Sequence, residues 1–145
     1  MKHEQCQLVL FTGGGYLLIW LDILIGHVGG EMRNLFMWVP VVILPVAAVM
    51  AILTSFHATP LTRTIFYTIC WIVILTGISG FCFHLLRLTT DLKGQIQWEV
   101  LVRLMRYPPL LAPLSLCGLG ILGVLVNRGK VSRQNIGQQS QLNQR

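Results

Sequence analysis

Three ionisable side chains, Asp22, His27 and His84, stand near the ends of long apolar runs, and alternation of those runs brings all three to one face. A carboxylate beside an imidazole is the minimum for a proton relay, for a carboxylate-oriented histidine, or for part of a metal site. Two imidazoles at a common depth are what a bis-histidine haem b needs, and His27 with His84 is the pair this face offers. His57 falls on the opposite face, too far for the same ring. A non-haem metal site would draw on Asp22, His27 and His84 together.

The spacing around these residues carries the argument further. Thr76, Gly80 and His84 recur at i, i+4 and i+8, one helical stripe whose gap at Gly80 gives a second backbone or a flat ring room to approach His84. Gly15, Asp22 and Gly26 recur at i, i+7 and i+11, which sets one carboxylate on a small-residue face. If the two faces meet, Asp22 and His84 come within reach. A plainer reading stands beside this one. Asp22 lies four residues from the end of its run, roughly 6 Å along the axis, so it can reach water or pair with Arg33 or Arg87. His27 is five positions beyond Asp22, about 140° around an ideal helix, and both face one axis only if Gly26 interrupts the helix. Beyond them come Gly29, Gly30, Glu31 and Arg33, then Trp38 and Pro40: either a binding loop supported by Glu31 and Arg33, or a tight turn with interfacial anchors.

The elements that must position these groups are set by composition. The 145 residues are 54% hydrophobic and 11% charged, with a mean hydropathy of +0.67, outside the range of a soluble domain. Four apolar runs, at about 8–26, 35–56, 64–86 and 110–126, approach the ~20 residues that a helix needs to cross ~30 Å of hydrocarbon. None alternates with period two, and unpaired backbone in lipid costs several kcal/mol per group, so helices are expected and a barrel is not. The fold class is therefore all-α, a polytopic membrane protein built as a four-transmembrane-helix bundle in one domain, 1–127. Pro40 falls at the start of the second helix, where a missing N–H does least harm; Pro45 lies inside and is expected to kink it. Pro108, Pro109 and Pro113 mark the start of the fourth. No cleavage signal follows the opening residues, so the N-terminus reads as retained.

The long connection 87–107 contains Trp98, Leu101, Val102 and Met105 at i, i+3, i+4 and i+7, opposed by Gln95, Glu99, Arg103 and Arg106. This predicts a short interfacial helix, lying on the lipid or acting as a lid over a site. The tail 128–145 is polar, basic and rich in Gln, and is expected to be disordered. Lys and Arg number six on the side of the termini and five opposite; the group Arg128, Lys130 and Arg133 tips the orientation to both termini in the cytoplasm. The net charge of +6 is topology information of this kind and no sign of nucleic-acid binding.

Cys6, Cys70, Cys82 and Cys117 form no paired motif; the three within apolar runs read as small fillers. Gly13, Gly14 and Gly15 lack the Lys and Ser/Thr of a phosphate loop and suit close helix packing instead. Zinc-protease spacing, a nucleophile elbow and paired glycosidase acids are absent, which argues against soluble-type catalysis. The expectation is a small non-enzymatic accessory, assembly or binding protein of a cell membrane, partnered by lipid, another membrane subunit or its own copies. The alternative is a haem- or metal-binding redox subunit using the His27/His84 face. Transport would need oligomerisation, since four helices show no internal repeat.

Overall fold

A computed structural model describes residues 3–28, 37–91 and 111–128, with side chains over 3–25, 37–86 and 112–127. These residues form four helices: α1 (His3–Val28), α2 (Trp38–Phe56), α3 (Pro60–Asp91) and α4 (Leu111–Arg128). The interfacial helix expected within 87–107 and the basic tail beyond Arg128 lie outside the described residues, apart from the last turn of α3.

Three helices are long and apolar enough to cross a membrane, over His3–Ile25, Trp38–Phe56 and Pro60–Leu86; Ala112–Asn127 is a shorter apolar helix. Side chains explain how polar residues are carried in such segments. The hydroxyls of Thr12, Ser55, Thr64, Thr68 and Thr76 each donate to the carbonyl four residues earlier, at 2.8–3.0 Å, which satisfies them within their own helix. Around the outside, Phe11, Leu18, Ile25, Phe56, Leu61 and Leu86 face outward, as a lipid-facing surface requires.

The helices form a ring in which α1 packs on α2, α2 on α3, α3 on α4 and α4 on α1. Neighbours run antiparallel. The Cys6 thiol donates to the Ser55 carbonyl at 3.6 Å, while Trp20, fourteen residues later, meets Val41 near the start of α2. Along α3 and α4, Arg63 pairs with Asn127 and Ile74 with Cys117.

Helix α3 begins four residues before its apolar run. Thr59 is the reason: its hydroxyl accepts from the Thr62 N–H at 3.1 Å, and Pro60 occupies the first helical position, where its missing N–H is harmless. The Thr62 hydroxyl closes the three-residue connection by donating to the His57 carbonyl at 2.7 Å. Both α1 and α3 also run past the apolar limits at their far ends, to Val28 and Asp91.

Pro45 lies inside α2. Having no N–H, it cannot serve the Val41 carbonyl one turn earlier. The indole N–H of Trp20 serves that carbonyl instead, at 2.9 Å across the α1/α2 contact.

Small residues set the closest approaches. A Cβ on Gly77 would stand 2.7 Å from both the Pro113 carbonyl oxygen and the Cys117 Sγ, so α3 and α4 meet at a separation only hydrogen allows. On α1, a Cβ at Gly13 would lie 3.0 Å from that of Ala51, whereas Gly14 faces open space and Gly15 lies under Leu119.

Candidate functional site

The face expected to gather chemistry is built from the last turns of α1 and α3. Helix α1 continues through Gly26 to Val28, so the glycine does not interrupt it. Position 27 therefore stays about 140° around the helix axis from position 22. Asp22 is exposed and His84 half-buried; the His27 side chain, Glu31 and Arg33 lie outside the described residues.

The gap at Gly80 has an occupant. A Cβ there would meet Pro113 Cβ and Cγ at 3.6 and 3.7 Å, ordinary packing distances, so the ring that lies over Gly80 is the pyrrolidine of α4. Gly15 likewise faces α4, through the methyls of Leu119. Gly80 and Gly15 thus each meet α4, and the helices that carry Asp22 and His84 stand diagonally in the ring. Among the described residues no group of three His, Cys, Asp or Glu side chains is placed to hold a metal ion.

Deeper in the bundle lies an arrangement of a different kind. Tyr16 is fully buried, and its hydroxyl donates to the Leu119 carbonyl at 3.3 Å while lying 3.6 Å from Cys70 Sγ. The phenol has one proton; with that proton on Leu119, the oxygen accepts from the thiol. Tyr16 thereby joins α1, α3 and α4 at one point, with Phe66 and Val73 packed as fully buried neighbours in the same core. One turn along, the Cys117 thiol donates to the Ile74 carbonyl at 3.5 Å, a second thiol link between α3 and α4. These are groups that fix helix register.

The opposite end of the bundle carries the remaining polar layer. Thr54 donates to the Thr62 carbonyl at 3.3 Å, and the Asn127 side-chain amide donates to the Arg63 carbonyl at 2.8 Å. In the same layer Arg63 Nε and Gln5 Oε1 are buried without a hydrogen-bond partner among the described residues.

Sequence reasoning passed over Tyr16, Trp20 and Arg63 as site residues. Two had a signal. A tyrosine in mid-run, away from either interface, needs a buried acceptor, and a proline inside a membrane helix leaves a carbonyl that some donor must meet. No protein-family model, curated protein or solved structure matches this chain.

Proposed function

We propose that the chain is a four-span integral membrane protein that works as a non-enzymatic accessory, assembly or binding subunit, with both termini in the cytoplasm. The observation that carries this reading is the α3/α4 contact. From Asn127 beside Arg63 to Pro113 over Gly80, α4 runs along eighteen residues of α3, roughly 26 Å of its axis. A helix that accompanies a candidate span over that length belongs to the same hydrocarbon layer, although its own apolar stretch is shorter.

The interior supports a packing role. Gly77, Gly120, Tyr16 and Cys117 are all used to bring helices together. A Cβ on Gly120 would come within 3.0 Å of the Cys70 carbonyl oxygen. The outward faces, with Gly14 and Gly118 open beside large apolar side chains, are left for lipid or for another membrane helix.

A visible absorption spectrum of the protein purified from a haem-replete host tests this reading. A packing subunit gives no Soret band. An intense Soret band at one haem per chain, lost in His84→Gln, would replace it with the redox alternative on His27 and His84.

A further inference from the structure

Helix α1 uses one side for the bundle and leaves the other uncovered. Gly13 and Trp20 make contacts with α2, and Gly15 and Tyr16 with α4. Turned away from both is a face on which Phe11, Leu18 and Ile25 are 70–77% exposed, the three most exposed large apolar side chains among the described residues. They recur every seven positions and so form one stripe along the helix. Gly14 lies on the same face, where a Cβ would meet nothing within 4 Å.

Asp22 stands on this face too, one turn beyond Leu18 and one turn before Ile25, and is itself exposed. It falls within the candidate span His3–Ile25, whose other acid, Glu4, sits in the first turn of the helix. Ionisable side chains inside membrane spans almost always point to a bundle interior or a water-filled cavity and find a partner there. Asp22 points away from the interior of its own bundle. Arg63 is the one Lys or Arg with a described side chain, and it stands at the opposite end, beside Asn127. Asp22 is sixteen positions along α1 from Cys6, which marks that end by its bond to Ser55, a separation of roughly 24 Å. An outward apolar face crossed by one carboxylate thus has the composition of a helix interface.

We propose that this face docks a transmembrane helix of a different subunit, and that the docking helix presents a Lys or Arg side chain to Asp22. Charge fixes the class of partner, because a carboxylate in an apolar layer is stabilised by an opposite charge, whereas a wholly apolar helix would only take it further from water. Gly14, about two turns before Asp22, gives the partner backbone room to approach closely. A second copy of this chain, held in the same orientation by the membrane, has its one described span cation, Arg63, at the wrong end. The inference deepens the binding-subunit reading and rests on it. A Soret band lost in His84→Gln would end that reading whatever the docking result; no such band and no selectivity for a basic helix would end this inference alone.

The test is Förster transfer in phosphatidylcholine vesicles between the labelled full chain and a synthetic Leu/Ala transmembrane peptide of 23 residues, the length of the α1 span. The peptide carries Lys at the fourth position from each end, the place Asp22 occupies in its own span, and a control peptide carries Leu at both. The expected result is roughly fivefold tighter association of the Lys peptide, although the net charge of +6 on the chain opposes it. Asp22→Asn should remove most of that preference, and Gly14→Leu should weaken the Lys peptide severalfold by holding the backbones apart. Both positions face outward, so thermal unfolding of the bundle should stay unchanged. Equal association of the two peptides, or an Asp22→Asn chain that keeps the preference, overturns the proposal. It is overturned equally by a preference that emerges only in Arg33→Gln or Arg87→Gln, which would pair Asp22 within this chain. Asp22-dependent transfer between two labelled copies that the Lys peptide fails to displace would make the occupant a second copy, and overturns it as well. Should Asp22→Asn fail to fold, the wild-type comparison of the two peptides decides, together with Asp22→Glu, which keeps the charge and should keep the preference.

Discussion

The indole N–H of Trp20 donates at 2.9 Å to the Val41 carbonyl, the carbonyl that Pro45 leaves unserved within α2. A backbone donor missing from α2 is thus replaced by an aromatic donor on α1, and the bond fixes the register of α1 against α2.

Trp20→Phe should therefore destabilise the bundle by about 1–2 kcal/mol, because it removes the donor and leaves the carbonyl part-buried and unmet. In a Pro45→Ala background the backbone N–H returns, and the same change should cost clearly less. Unfolding in mixed micelles of the four variants measures the coupling. Equal costs in both backgrounds would show that the indole acts by packing alone.

Glycines separate by what stands opposite them. Gly77→Ala should cost roughly 1–3 kcal/mol, since its Cβ would press on the Pro113 carbonyl and neither helix can yield without losing other contacts. Gly14→Ala and Gly118→Ala face open space and should be neutral or stabilising, by up to about 1 kcal/mol, from helix propensity. Thermal unfolding in detergent checks the ranking; a tolerated Gly77→Ala alongside a damaging Gly14→Ala would reverse the assignment of inner and outer faces.

At the far end, Gly80→Leu should destabilise the bundle by roughly 1–3 kcal/mol through overpacking against Pro113. His84→Gln should retain the fold with little change. The pair is read by thermal unfolding together with the visible spectrum. A folded His84→Gln variant that loses a haem band or pH-dependent behaviour would make this face a site of chemistry.

Tyr16→Phe should fold normally and lose about 1 kcal/mol, because the Cys70 thiol and the Leu119 carbonyl lose a shared partner while the ring still fills its place. Tyr16→Ala should cost several times more, by opening a cavity among Phe66, Cys70 and Val73. Similar losses for the two substitutions would assign the energy to the hydroxyl.

Much of the architecture can be read before any coordinates, for a physical reason. Lipid forces long apolar runs into helices, so the four elements follow from hydropathy. Their ends do not, because a helix continues past the apolar layer wherever local bonds allow it. Thr59, Pro60 and Thr62 are polar or helix-breaking by type, yet they cap and start α3. The gap at Gly80 is legible too, but its occupant is not: a small-residue stripe says that something comes close, and which helix comes close depends on the order around the ring. Pro45 announces an unmet carbonyl without naming Trp20, since that pairing depends on the antiparallel register of α1 and α2. Arg63 counts as one more charge until the Asn127 bond places α4 beside it.

The central claim is that α4, the shortest apolar helix of the four, crosses the same layer as the three longer ones. Protease or fluorescence reporters fused singly to each terminus of the chain, read in intact cells, measure this directly. Four crossings place both reporters on one side of the membrane, the cytoplasmic side. Reporters on opposite sides would mean three crossings, and would contradict the bundle as described.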